Sequence, residues 1–354
     1  MSLPEPRRPR TLTRADDFVG AGLVAPTDAP ALADVTARYS AAMTGHLAAL
    51  VDPNDPSDPI ARQFVPDISE LETAPQERLD PIGDDAHSPC EGLVHRYPDR
   101  VLLKIVSACP VYCRFCFRRE TVGAAKGGML SPQALDAALA YIRARPQIWE
   151  VILTGGDPLA LSPRRLADVV RAIASIGHVK TIRFHTRVPV AAPDLVTDEL
   201  VAAIRAKGVS TWVALHANHP RELEAEARAA LARFVDAGVP LVSQTVLLRG
   251  VNDDEETLAA LMRAFVEARV KPYYLHHPDL APGTGHFRLP IAEGRRIVAD
   301  MMRRVSGLAR PSYVLDIPGG YGKIPLSEQA AAPDGAGGWR LTDPAGRAYS
   351  YRDA

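Results

Sequence analysis

From about residue 100 onward, short runs of apolar and β-branched residues alternate with longer stretches whose apolar positions recur every three to four residues. The short runs predict strands at 101–108, 149–155, 179–185, 209–216, 240–248 and 271–277. The longer stretches predict helices at 131–145, 162–176, 193–207, 220–237, 253–269 and 291–307. Two of these helices open with Leu-Ser-Pro, at 130–132 and 161–163. The serine caps free amide groups, and proline takes the first helical position, where a missing N–H costs nothing. Six strand–helix units in succession imply a parallel sheet with right-handed crossovers. A seventh strand is predicted at 312–317. Polar motifs follow almost every strand and none dominates, which fits an open, partial (βα)6 TIM-like barrel better than a flat doubly wound sheet.

The flanks read differently. Residues 1–10 are rich in Pro and Arg and predicted to be loose. An Ala/Leu-rich stretch predicts a helix over 30–51, and a Pro/Asp-rich connector fills 52–92. Gly20-Ala21-Gly22 imitates a dinucleotide fingerprint, but no strand precedes it and Pro26 follows where a helix should open. The tail, with Gly337-Gly338-Trp339, Asp343-Pro344-Ala345-Gly346, Tyr349 and Tyr351, predicts a terminal hairpin. This gives a helical and irregular N-terminal extension (1–92), a (βα)6 core (93–310) and a C-terminal segment (311–354).

Composition narrows the function classes. A chain of 354 residues, 47% hydrophobic, can bury a full core. Its net charge of −1 provides no global field to recruit nucleic acid or an anionic membrane. No run approaches the roughly 18 apolar residues of a membrane span, and no apolar signal core opens the chain, so a soluble, cytoplasmic protein is expected. Three of the four cysteines are adjacent in sequence, which is no disulfide framework and points to a reducing compartment.

Those three, Cys109, Cys113 and Cys116, are spaced C-x3-C-x2-C on the loop leaving the first strand. Three thiolates from one short loop can hold a soft metal. With no local fourth cysteine they suit a 4Fe–4S cluster with one iron open to a small ligand. The alternative is a zinc knuckle completed by a distant His or by Cys90, and with it an interaction module rather than an enzyme. Cys90 itself reads as a packing residue.

Ligands of parallel α/β folds gather at the carboxyl ends of the strands, and most of the remaining distinctive residues fall there. Gly155-Gly156-Asp157 follows the second strand, letting backbone approach a ligand beside a carboxylate. His185-Thr186-Arg187 follows the third, His216-Ala217-Asn218-His219 the fourth, and Gln244 lies on the fifth. Asp279 follows the sixth. The seventh leads through Asp316 to the loop Pro318-Gly319-Gly320-Tyr321-Gly322-Lys323. Lys323 is one of six lysines, and a glycine-rich loop presenting one lysine suits a Schiff-base role. A phosphate-binding P-loop does not match, since Ile324 stands where Ser or Thr is needed. Asp279 and Asp316 suit a bound ammonium group, and Arg118 suits a carboxylate. An arginine at one end and two aspartates at the other describe an α-amino acid with a cationic side chain.

Taken together, Cys109-x3-Cys113-x2-Cys116, Gly155-Gly156-Asp157, Arg96-Tyr97-Pro98-Asp99-Arg100, His286-Phe287-Arg288 and the Pro-Gly-Gly-x-Gly-Lys loop resemble the lysine 2,3-aminomutase family of radical S-adenosylmethionine (SAM) enzymes. The resemblance spans about residues 12–352. It implies an open barrel of the radical SAM type, a 4Fe–4S cluster, SAM and pyridoxal 5′-phosphate (PLP). It further implies that Cys109, Cys113 and Cys116 ligate the cluster, that Gly155, Gly156 and Asp157 lie near the methionine part of SAM, and that Lys323 carries PLP. Arg118 would hold the substrate carboxylate, and Asp279 and Asp316 its side-chain ammonium. His216, Gln244, Arg96 and Arg100 match cofactor-contacting positions, although both arginines precede the first predicted strand, at the end of the sheet remote from the other motifs. The implied reaction moves the amino group of L-lysine from C2 to C3, started by a radical that an external one-electron donor such as flavodoxin or ferredoxin makes possible. A homo-oligomer is also expected.

Two departures from the family pattern matter. The chain has no cysteine after Cys116, so the structural zinc that clostridial-type members hold between subunits is expected to be absent. Its C-terminal part is short, as in a related branch that acts on lysine before its attachment to translation elongation factor P. Asp316 and the Gly-Gly-x-Gly run, which that branch lacks, favour the free-lysine reaction, and the supply of β-lysine for elongation factor P stays open as the alternative. A glutamate 2,3-aminomutase is disfavoured by Asp279 and Asp316.

Overall fold

The computed structural model describes residues 10–123, 128–327, 331–333, 335, 339–342 and 347–352. Nine strands form one sheet whose spatial order follows the chain: β1 (Leu93–Tyr97), β2 (Arg100–Val106), β3 (Glu150–Gly155), β4 (Thr181–Thr186), β5 (Ser210–His216), β6 (Leu241–Val246), β7 (Val270–His276), β8 (Ser312–Asp316) and β9 (Lys323–Pro325). Strands β2 to β8 run parallel, while β1 and β9 lie antiparallel on the two edges. Among the described residues the edges do not pair with each other, so the sheet is the expected open half-barrel. They meet instead through side chains. The Lys323 amide donates to the Tyr97 hydroxyl at 3.0 Å, and Arg96 lies 3.7 Å from Asp316.

The period-2 alternation of each strand assigns its two faces. Val101, Leu103 and Ile105 of β2 are buried against the helical layer, in a core that runs through Leu153, Phe184, Leu215, Leu241 and Leu275. The alternate residues Leu102, Ile152, Thr154, Arg183, His185, Ala214, His216, Gln244, Tyr274 and His276 face the hollow of the half-barrel. Cross-strand register sets His216 beside Gln244 and Gln244 beside Tyr274 on three neighbouring strands.

The predicted strands stand with small shifts at their ends, and several helices are shorter than predicted. The stretch 193–207 becomes a 3-10 turn at Pro193–Leu195 and a helix at Asp198–Ala203, because Thr197 accepts from the Leu200 amide and starts a new helix. The stretch 220–237 opens as a 3-10 turn, and its helix, Ala225–Asp236, is capped by Glu224. The single helix over 30–51 is replaced by Ala29–Arg38 and Gly45–Ala49. Between them Met43 bridges Leu12 with two backbone hydrogen bonds (2.8 and 2.9 Å), and Thr44 caps the second helix. Strand β1 was not predicted at all. Gly20 ends the helix Ala15–Gly20, so the false fingerprint is a helix terminus.

The N-terminal segments pack over the cysteine loop. Phe18, Met43, Leu47, Ile60 and Phe64 form one buried cluster with Val111, and Cys113 packs against it. At the other end, Trp339–Thr342 pairs antiparallel with Ala348–Tyr351, as the hairpin requires, and Ala331–Pro333 adds a third strand. The Gly337-Gly338 pair, the Asp343–Gly346 turn (343–346), Lys126 and residues 1–9 lie outside the described residues. Among the described residues no helix is long and apolar enough to cross a membrane.

Candidate active site

The hollow of the half-barrel holds a cavity of about 290 Å³, lined by every residue given a metal, cofactor or substrate role by the family resemblance. Cys109, Cys113 and Cys116 form one wall with Gly155, Gly156 and Asp157. Arg118, Asp279, Asp316, Lys323, His216 and Gln244 join them. Arg96 and Arg100 do as well: both sit at the turn between β1 and β2, at the amino end of β2, and from this edge Arg96 reaches Asp316. Arg100 stacks 3.8 Å over the Tyr97 ring and pairs with Asp99 at 2.7 Å.

The cysteine loop is held in place by buried charge. Glu70, fully buried, accepts from Arg114 Nε and Nη2 at 2.9 and 2.5 Å and also pairs with Arg119. Arg114 further donates to the Ser40 carbonyl at 2.9 Å, tying the loop to the N-terminal segment. Burial pushes the Cys109 thiol well up, with Asp157 and the other two cysteines adding to it, and pushes Cys116 up to about 11 with Cys113 adding. Among the described residues, no three His, Cys, Asp or Glu side chains are already drawn together as a metal site. Three partly buried thiols, two of them with raised pKa, are nevertheless the donor set for a soft, positively charged iron centre, whose charge would reverse that effect. Cys90 does not line the cavity. It packs against the main core, as a structural cysteine does.

The Gly-Gly-Asp turn closes on this loop. A Cβ on Gly156 would lie 2.2 Å from the Ala108 carbonyl oxygen, one residue before Cys109, and Gly155 has φ +117°. The Asp157 carboxylate is fully occupied: it accepts from the Leu159 amide (3.0 Å), the Thr186 hydroxyl (2.7 Å) and the Arg187 amide (2.7 Å). Its contribution is therefore to join the ends of β3 and β4, while the backbone of the two glycines remains the surface a ligand could approach.

Across the cavity, Lys323 Nζ donates to both oxygens of Asp316 at 2.8 and 2.7 Å. His276 Nδ1 is 3.6 Å from the same carboxylate, and its Nε2 is buried without a partner. Burial raises the pKa of Asp316, but the neighbouring His276 ring and the Lys323 charge outweigh it and hold the carboxyl well below its usual range. Asp279 moves the other way: burial and the Asp316 charge push it up to about 7. Arg118 donates from Nε and Nη2 to Asp84 at 3.1 and 2.9 Å, leaving Nη1 uncommitted among the described residues. Asp84 also accepts from Arg96 at 3.2 Å.

Burial holds His185 and His216 well below the usual histidine range, so both rings are neutral donors or acceptors. His216 stacks on Phe115 at 5.9 Å with a buried, unpartnered Nδ1, and Gln244 lies 3.4 Å from His185. An amine on a glycine-rich loop, neutral ring nitrogens and unpaired polar atoms fit an aromatic aldehyde cofactor such as PLP. Asp84 and His276 were not singled out by sequence reading, and Arg187 was named only within the strand-end motif His185-Thr186-Arg187, without a role. Asp84 sits in the irregular connector, where no periodicity marks it. His276 ends a strand, the one signal that could have found it.

Comparison with known proteins adds to this geometry. The family model described as Radical SAM superfamily matches residues 103–262. The L-lysine 2,3-aminomutase of Clostridium subterminale is 42% identical over 285 residues, 80% of this chain and 68% of that protein. The glutamate 2,3-aminomutase of Clostridioides difficile is 34% identical over 84% of this chain and 69% of its own. A solved radical SAM methyltransferase from Sphaerobacter thermophilus is 20% identical with a TM-score of 0.45, over 63% of this chain and 68% of that one.

Proposed function

We propose, for a chain that belongs to the lysine 2,3-aminomutase family of the radical SAM superfamily, that it interconverts free L-lysine and L-β-lysine. The observation that carries the choice of lysine is the acidic pair in the cavity wall. Asp279 and Asp316 are close enough for one charge to raise the other's pKa, an arrangement that a bound ammonium relieves and a second substrate carboxylate would aggravate.

The superfamily works with a 4Fe–4S cluster and SAM, and the aminomutase reading adds PLP. When bound, the cluster and SAM supply a carbon radical that takes hydrogen from the substrate, and PLP supplies the conjugated system that spreads the unpaired electron while nitrogen migrates. The chain's own residues position and shield. Cys109, Cys113 and Cys116 would ligate three irons, and Gly155 and Gly156, which line the same cavity, would lie near the methionine part of SAM. Lys323 Nζ would attach PLP, for which it must first give up a proton. His276, neutral because burial lowers its pKa and lying beside Asp316, is placed to take it. Arg118 Nη1 would receive the substrate carboxylate while Asp84 fixes the guanidinium plane. Asp279 would lose its proton as the ammonium arrives. His216, Gln244, Arg96 and Arg100 line the remaining wall as donors to the cofactors. The reading includes a cytoplasmic homo-oligomer that draws one electron from a flavodoxin- or ferredoxin-like donor.

The test is anoxic turnover after loading with iron, sulfide, SAM and PLP and reduction with dithionite. Lysine should yield β-lysine, and glutamate should be left unchanged. Conversion of glutamate with lysine untouched would overturn the assignment.

A further inference from the structure

Arg187, at the end of β4, is almost completely buried. Its Nη1 donates to Cys113 Sγ at 2.9 Å. Its Nη2 donates to Glu222 at 2.8 Å and to the Gln63 side-chain carbonyl at 3.1 Å. The guanidinium lies 4.9 Å from the Phe64 ring centroid and 5.3 Å from that of Phe115, so two aromatic rings help to shield it. Glu222 is fully buried and is itself fixed by the Asn218 and His219 amides at 2.8 and 3.0 Å. The Arg187 amide is pinned to Asp157. A cation has therefore been buried, aimed at one cysteine of the metal loop, and balanced by one carboxylate on its far side.

We propose that the Arg187–Glu222 pair sets the reduction potential of the cluster held by Cys109, Cys113 and Cys116. The inference rests on the reading that these cysteines hold a 4Fe–4S cluster. Reduction adds one electron from a one-electron donor to the oxidised cluster. No bond forms or breaks, no proton moves, and the cluster–thiolate unit gains one negative charge. A cation hydrogen-bonded to a ligating sulfur stabilises that added charge and raises the potential, the more so in a dry site where charges are poorly screened. Glu222, beyond the arginine, acts in the opposite sense and tempers it. The two residues should thus move the potential in opposite directions. A role confined to packing has no such sign, because loosening the loop from either residue would expose the cluster in the same way.

The experiment is a redox titration followed by electron paramagnetic resonance on the anoxically reconstituted full chain, with iron content measured first. Arg187→Met should lower the midpoint potential and Glu222→Gln should raise it. Arg187→Lys, which keeps the charge and is the milder change should the methionine variant fail to fold, should fall between wild type and Arg187→Met. Shifts of the same sign in the arginine and glutamate variants, or no shift in either with iron at the wild-type level, would overturn the proposal. A wild-type chain that takes up zinc and no iron would instead remove the cluster reading beneath it.

Discussion

Lys323 Nζ and the Asp316 carboxylate form a two-pronged ion pair between directly paired residues of β8 and β9, at one edge of the open sheet. The proposed chemistry asks two things of this pair that cannot hold at once. Lys323 must become an uncharged, attached amine, and Asp316 must then face a substrate ammonium. The free protein holds the charges in the arrangement the substrate would later reproduce, with lysine's own side chain as the stand-in. Lys323→Ala should therefore abolish the visible absorbance of attached PLP and leave cluster iron unchanged. Asp316→Asn should retain the absorbance and lose lysine turnover. Removing one partner of a buried charged pair costs about 2–5 kcal/mol, so kcat/KM should fall by about two orders of magnitude or more. Steady-state kinetics and absorbance spectra separate the two effects, and unchanged lysine kinetics in Asp316→Asn would refute the ammonium role.

The strand ends were legible because parallel strands place their carboxyl ends together, so the polar residues after each apolar run had to converge. Which face of each strand lines the cavity, Leu102 on β2 or His276 on β7, came from the structure. What escaped depended on contacts distant in sequence. The Met43 backbone pairs with Leu12, and that bridge ends a helix whose propensity alone would carry on. Thr197 starts a new helix after the Pro193 turn, which an averaged apolar count does not register. Strand β1 reads Leu-Val-His-Arg-Tyr, too short and too polar to announce itself, and without it as an edge strand nothing in the sequence brought Arg96 near Asp316. Asp84 was invisible for the same reason: its meaning comes from two arginines on other elements.

Asp279 gives the site a pH signature. Its pKa is pushed up to about 7, by burial first and Asp316 second. Between the ordinary carboxylate range and about pH 7 the folded, ligand-free protein keeps a proton that the unfolded chain has released. The folded state binds more protons there, so this group makes the ligand-free protein less stable as pH rises through that window. Lysine binding should run the other way, releasing the proton and tightening as pH rises to about 7. Calorimetry near pH 6 in two buffers of different ionisation heat should detect that release in wild type and lose it in Asp279→Asn. Equal proton release in both proteins would mean that Asp279 does not meet the ammonium.

Gly156 is required by the closeness of β3 to the cysteine loop. An added Cβ would lie 2.2 Å from the Ala108 carbonyl oxygen and 2.8 Å from its nitrogen, both backbone atoms that cannot swing aside. Gly156→Ala should displace the loop and cut iron incorporation during reconstitution, with a lowered melting temperature of the kind overpacking by about 1–3 kcal/mol produces. Gly177 has open space around it, so Gly177→Ala should leave iron content at the wild-type level. Iron and sulfide analysis of the two variants side by side is the check.

Asp84 clamps Arg118 from one side, with both donors on a single oxygen, and Arg96 from the other. Burial alone would raise its pKa, but the Arg118 charge and hydrogen bond and the charges of Lys104 and Arg96 hold it down, so it stays ionised. Two effects compete when that charge is removed. Arg118 becomes a barer cation, which favours a carboxylate ligand, and it loses the partner that fixes its plane, which disfavours one. Hydrogen bonds to charged groups are worth about 1.5–3 kcal/mol each, and the clamp contains two of them, so orientation should win. Since Arg118 would grip the carboxylate equally in ground and transition states, the loss should appear in KM, about tenfold for Asp84→Asn, with kcat little changed. A fall in KM would show instead that Asp84 competes with the substrate for Arg118, making it a gate rather than a clamp.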